Sequence, residues 1–435
     1  QRQMCIRDSP SPERRSRTDL TVTALIVVVV LLVVVGTWML SDARGTAHST
    51  AAPGDAVAPS TSGTVAPPSS LTEVWRASTD SGVSPEPLTL DGAVVLTGAG
   101  RVSVVDAADG HEVWSYSRDR ELCGVSGGWS RVVAVYRGPK GCGEATSFSV
   151  GTGVYEDTRS ALADSDVRLF RSLDHIGVLS SDRVELWRSD LVRTVEVGHQ
   201  EIPVNPGDQP TDGCTFTSSL TRKENLAVAV QCPDDADGER RVSLFGADPE
   251  DSSEPETVHD FTVPAGSELV AVSQDAVVIY VPDDGSGNRF QVLRTDGTYR
   301  EYPTEPAPVL SPEARAASSG GAVAGTAEPS LFIPQTADLP HHMTWFDGER
   351  VTAFGPSDLA PKFSVPALGT GAAMGGRLLL PVRAGVAVVD WSDGHIERVI
   401  PVDRGDWSGP VTLRVQGETV VEQRGDTVVG LSDRG

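Results

Sequence analysis

Five cysteines, one adjacent histidine pair and several carboxylate clusters are the residues of this chain that could carry chemistry. Cys123 and Cys142 lie 19 residues apart, Cys214 and Cys232 lie 18 apart, and Cys5 stands alone near the N-terminus. Thiols at matched spacing can form disulfides or hold zinc. Zinc sites use C-x-x-C or close Cys/His spacing, and neither occurs here. An even number of cysteines in a domain outside the cytoplasm points instead to bridges, expected as Cys123–Cys142 and Cys214–Cys232. His341-His342 reads as a strand-entry loop rather than a metal site. Asp234, Asp235, Asp237 and Glu239, like Asp283 and Asp284, offer calcium-type oxygens. Their spacing is not that of an EF-hand, so solvated hairpin tips are expected. Gly369-Thr370-Gly371 lacks the strand-helix context of a phosphate loop. No G-x-S-x-G nucleophile elbow occurs, and Arg424-Gly425-Asp426 fits a hairpin turn. No catalytic, cofactor-binding or metal-binding set emerges; the expectation is a protein that is not an enzyme and takes no cofactor.

Composition narrows the partners. The chain has 435 residues and a net charge of −24, which argues against nucleic acid, whose binders need a basic footprint. Only Lys140, Lys223 and Lys362 are lysines, so 33 of the 36 basic residues are arginine, a bias typical of GC-rich coding. Residues 1–9 read as a translated sequencing-adapter artefact and are set aside with Cys5. Residues 10–19 form a short basic tail. Residues 20–40, LTVTALIVVVVLLVVVGTWML, contain no charge and would span about 31 Å as a helix, the thickness of a bilayer core. Arg14, Arg15 and Arg17 precede this run, whereas Asp42 and Arg44 nearly cancel after it, which places the N-terminus in the cytoplasm and the rest outside. Residues 41–70 are rich in Pro, Ala, Ser and Thr and read as a flexible tether. Residues 1–45 carry net +2, leaving −26 on the exposed side.

From residue 71 to 435, apolar runs of four to seven residues alternate with Gly, Asp, Pro and Ser turns, the pattern of an all-β domain. In RVSVVDAADGHEVWSYS a strand turns at Asp109-Gly110 into a second strand. Related hairpins are FQVLRTDGTYREY, MTWFDGERVTAF and VAVVDWSDGHIERVI, whose turn glycines 297, 348 and 394 are 51 and 46 residues apart. Degenerate copies are SFSVGTGVYEDT, VELWRSDLVRTVEV and VSLFGADPEDSSEPETVHDF. A period near 46 residues with four strands per repeat gives an eight-bladed β-propeller, or seven blades if one degenerate copy is only a loop. DTVVGLSDRG lacks a following strand, and LTEVWRAS lacks a preceding partner. The N-terminal strand is therefore expected to complete the last blade. Trp75, Trp114, Trp187, Trp345 and Trp391 occupy related strand positions and are assigned to packing between blades. The acidic run 247–260 reads as a solvated loop.

Val104-Val105-Asp106-Ala107-Ala108-Asp109-Gly110 with Trp114, and Val388-Val389-Asp390-Trp391-Ser392-Asp393-Gly394, resemble the repeats of PQQ-like, quinoprotein-dehydrogenase-like propellers. The whole layout resembles actinobacterial membrane-anchored PQQ-like proteins of unassigned function. In the enzymes of that family the quinone sits in the central funnel beside a calcium held by acidic and amide groups, often near a Cys-Cys pair. This sequence has no Cys-Cys dipeptide and no residues matching those ligands. The function expected is therefore a non-catalytic scaffold that binds a protein of the cell envelope. A PQQ-type ligand or redox module and a cell-wall polymer sensor are the alternatives.

Overall fold

The computed structural model describes residues 16–57, 65–200, 207, 209–311, 314, 331–340 and 342–433. The adapter-like stretch 1–9, most of the basic tail and His341 lie outside the described residues. The chain forms two units, Gln1–Ala47 and His48–Gly435. In the first, one helix, Arg17–Leu40, is long and apolar enough to cross a membrane. Its 24 residues extend about 36 Å. Ser16 caps it: its hydroxyl accepts from Asp19 N at 3.1 Å, and the Asp19 carboxylate accepts from Ser16 N at 2.8 Å.

The second unit is an eight-bladed propeller. Blades 1 to 7 occupy residues 88–118, 122–160, 168–198, 215–264, 268–303, 336–366 and 372–401, each an antiparallel meander running from the axis outward. Blade 8 takes three strands from 412–432 and its outer strand, Thr72–Ser78, from the start of the domain. Thr72 pairs with Ser432 and Ser78 with Thr427, so the ring closes as the unpartnered ends imply. The middle strands, such as Ala276–Val281 and Asn225–Gln231, are buried at nearly every position. They read as continuous apolar runs because a neighbouring blade covers each face of the sheet. The core accordingly lies between sheets. At the closing seam, Val94, Leu96 and Val105 of blade 1 pack on Trp75, Val421 and Val428 of blade 8.

Trp75 and Trp114 are true repeat equivalents. Trp75, on the outer strand of blade 8, donates from Nε1 to Ala107 O of blade 1 at 2.9 Å. Trp114, on the outer strand of blade 1, donates to Val150 O of blade 2 at 2.7 Å. Each indole lies flat on a turn glycine of the next blade, Gly110 or Gly153, both at positive φ; a Cβ at either would fall 2.6 Å from the ring. His259 on Gly297 and Phe363 on Gly394 repeat the contact with other rings. Trp187, Trp345 and Trp391 are buried but not equivalent. They sit on the third strand of blade 3, the second strand of blade 6 and a turn of blade 7.

Two sequence expectations need correction. MTWFDGERVTAF is the second-to-third strand hairpin of blade 6, Met343–Phe346 with Arg350–Phe354, not an outer hairpin. Asp-Gly serves either turn, and the long connection 304–335 shifts this blade so that the 51- and 46-residue spacing is accidental. Nor is 41–70 free along its length. His48 and Ser49 end a fifth strand of the blade 1 sheet. The His48 ring sits 4.6 Å from Tyr155 and 5.7 Å from Tyr116, and its Nε2 hydrogen-bonds to Gly153 O at 2.7 Å. Ala51 N donates to Thr152 O at 2.9 Å and Val57 N to Gly151 O at 3.3 Å. Farther along, Pro67 O accepts from Arg398 at 3.0 Å. The turn carbonyls at 151–153 supply acceptors that hold the strap.

Candidate functional site

The cysteines form two disulfides, Cys123–Cys142 and Cys214–Cys232. In blade 4, Cys214 precedes the first strand and Cys232 follows the second, where Thr215 pairs with Gln231. Blade 2 is bridged differently. Cys142 lies at the start of the third strand, and Cys123 reaches it from a bulge in the first.

The acidic tips satisfy themselves. Asp235 accepts from Cys232 N at 2.7 Å and pairs with Arg241 at 2.8 Å. Asp284 takes two guanidinium hydrogen bonds from Arg289, at 3.0 and 2.9 Å, which with Ser286 N hold its carboxyl down at about 2. Arg424 of the Arg-Gly-Asp tripeptide is buried against Glu422, and Asp426 accepts from Ser81. His342 stacks on Trp391 with centroids 5.5 Å apart. The acidic run of blade 4 is not a free loop: Ser252 O accepts from Glu196 N at 2.9 Å, and Ser253 O accepts from the amides of Gln200 and Gln209.

Sequence reading missed the charges buried between blades. Fully buried Glu422 receives Arg404 at 2.6 Å and Arg424 at 2.7 Å, and Arg404 also donates to Val382 O and Gly385 O of blade 7. Glu268 of blade 5 takes Arg240 of blade 4 at 2.6 Å, with Thr217 and Ser218 completing its acceptor sites. Arg159 of blade 2 pairs with buried Glu185 of blade 3. Arg159 and Arg240 cross to the next blade and Arg404 joins blades 7 and 8, whereas Arg424 shares the strand of Glu422. The only signal in sequence is a charge at an inward strand position, as in Thr419–Arg424.

The innermost strands include Arg168–Arg171 in blade 3 and Thr412–Gln416 in blade 8. Arg414 pairs with Glu86, just before the inner strand of blade 1, and donates to Thr370 Oγ1 at 3.1 Å. Arg171 donates from Nη1 to Gly127 O of blade 2 at 2.6 Å. Its side chain is solvent-exposed, yet surrounding protein desolvates the guanidinium and pushes it down to about 10; Arg414 repels it and Glu86 attracts it.

A quinone–calcium site needs carboxylates and amides converging on the axis. Among the described residues, Glu86 beside the inner strand of blade 1 is engaged by Arg414 rather than free to hold a cation. A cleft between blades 2 and 3, lined by Cys142, Val178, Arg183, Glu185 and Trp187, offers about 10 Å³, room for about one water, far below the ~300–1,000 Å³ common for ligand pockets.

No protein-family model and no curated protein matches the chain. Among solved structures it is similar to BamB from Moraxella catarrhalis, at 15% identity and TM-score 0.45, covering 83% of this chain and 99% of that one. The computationally designed Ika8 protein gives 15% identity and TM-score 0.49 over 87% and 99% of the two chains. Apo AztD from Citrobacter koseri gives 12% and 0.43 over 76% and 88%.

Proposed function

We propose that the chain is a single-pass membrane protein, N-terminus in the cytoplasm, presenting a PQQ-like propeller outside as a non-catalytic scaffold for a protein of the cell envelope. One observation carries this reading. In an outward meander, the second-to-third strand turns and the connections between blades emerge on the same face. That face collects the segments 161–167, 232–238, 282–288 and 402–411. Apart from the longer connection 247–256, the opposite face is built mostly of tight turns such as 91–92, 129–130 and 223–224. A rigid ring with its long loops on one side offers a broad contact surface. Two disulfides suit an oxidising compartment, and the apolar helix suits a membrane anchor.

The test is site-specific photocrosslinking in intact cells. Crosslinkers at Ser286 or Asp406, on the long-loop face, are expected to give discrete protein adducts, and one at Asp275, on the tight-turn face, none. Adducts of equal yield from both faces, or from neither, refute the scaffold reading. Protease added to spheroplasts should digest the propeller; full protection refutes the orientation.

A further inference from the structure

We infer that the tight-turn face of blades 2 and 3 docks on the lipid surface of the membrane that holds the apolar helix, so that the long-loop face points away from it. This placement rests on the single-pass reading above. Three turns of the tight-turn face expose a large apolar side chain: Val154 (51% exposed) in blade 2, and Leu173 (80%) and Val192 (45%) in blade 3. Among the described residues, no other turn of that face does so. The corresponding turns of blades 1, 4, 5, 7 and 8 expose Asp109, Glu224, Asp275, Asp296, Asp393 and Glu418 instead. Single exposed apolar residues are ordinary, but three on two neighbouring blades, confined to one face, mark a contact surface. Tyr155, beside Val154, and Trp129, half-buried in the turn 129–130, add aromatic rings of the kind that settle at the lipid–water interface. Arg171 and Arg188 offset Asp174 and Asp190, and Arg131 pairs with Glu156 at 3.6 Å. This part of the face therefore lacks the acidic excess of a chain with net charge −24, and anionic headgroups do not repel it.

The chain itself selects the membrane as the cover. His48 and Ala51 are held on the turn 151–153, next to Val154: His48 Nε2 hydrogen-bonds to Gly153 O at 2.7 Å, and Ala51 N donates to Thr152 O at 2.9 Å. Only residues 41–47 join His48 to Leu40, the last residue of the helix, and a stretch of that length reaches at most about 25 Å. The polypeptide thus runs to the anchor from the apolar turn of blade 2 and keeps that turn close to the bilayer. In the interfacial region the exposed side chains gain the burial that the propeller does not give them.

Fluorescence quenching of the full chain, reconstituted in vesicles of phosphatidylcholine and phosphatidylglycerol, tests this. In a Cys5→Ser background an environment-sensitive dye is placed on Leu173→Cys, on Asp406→Cys of the long-loop face, or on Val30→Cys in the helix. Lipids with a headgroup nitroxide should quench position 173 severalfold more than position 406, and lipids with a mid-chain nitroxide should quench position 30. Val154→Ser/Val192→Ser removes only exposed apolar groups, should leave the thermal midpoint unchanged and should lower quenching at 173 severalfold. Quenching at 30 with equal or no quenching at 173 and 406 overturns the docked face and leaves the anchor standing. No quenching at 30 overturns the single-pass reading and this inference with it. Undiminished quenching in the serine variant also overturns the inference. A dye at 173 that is shielded by raising the protein concentration, and not by lipid, would assign the surface to a second copy of the chain and overturn it too.

Discussion

Trp75 joins the first strand of the propeller to its last blade and at once presses on the first. Replacing it with alanine removes an indole that is 8% exposed and orphans the Ala107 carbonyl it caps. Large-to-small substitution of a buried tryptophan costs about 3–5 kcal/mol, and an unsatisfied buried acceptor adds about 1 kcal/mol or more. Trp75→Ala is therefore expected to cost about 4–6 kcal/mol. Gly110→Ala attacks the same contact from the other side. Its Cβ would sit 2.6 Å from Trp75 Cγ, at a φ of +76°. The clash disappears when the indole is gone, but the backbone strain remains. The double variant should then be less destabilised than the sum of the singles, by about 1–2 kcal/mol. Guanidinium unfolding followed by far-UV circular dichroism measures all three variants without relying on the lost fluorophore. Additivity within about 0.5 kcal/mol, or a cost below about 1 kcal/mol for Trp75→Ala, would refute the view that this indole latches the ring.

Further outcomes follow from the same structure. Glu422→Gln leaves Arg404 and Arg424 buried without their shared carboxylate and should cost about 3–5 kcal/mol in thermal or chemical unfolding. Intact mass should rise by two hydrogens per bridge on reduction. Cys214→Ser/Cys232→Ser should lose about 3 kcal/mol, the value for a loop of this length. Asp284 titrates at about 2 in the fold, below its unfolded value, so the unfolded chain takes up that proton first. Its stabilising contribution is complete above the ordinary carboxylate range and is lost as pH falls towards 2. Asp284→Asn should therefore flatten the fall in melting temperature between pH 5 and 2.5, and an unchanged slope would show that the Arg289 pairing contributes nothing.

Architecture was legible in the sequence because its causes are local. Asp-Gly turns, short β-branched runs and the unpaired strands at the two ends each imply one partner, and closure of Thr72–Ser78 on Thr427–Ser432 follows from them. The error in blade 6 arises because Asp347-Gly348 is as good a turn between middle strands as between outer ones. What the sequence hid is non-local. Nothing near Glu422 announces Arg404, and nothing near Glu268 announces Arg240; these groups meet through the ring and not along the chain. The strap was masked by composition. His48 and its Ala/Pro-rich neighbours carry no periodic signal, yet Tyr116, Phe148 and Tyr155 receive the ring.

The pairing of Glu73 with Leu431 sets an order of events in biogenesis. A chain emerging N-terminus first displays the Thr72–Ser78 strand long before its partner is synthesised. Until then the strand edges of a growing stack of blades stay open, and open edges recruit other chains. Every blade must be synthesised before the ring can exist, so closure reports that the whole propeller has been made. A prematurely ended chain would keep a sticky edge that quality-control proteases and chaperones can recognise.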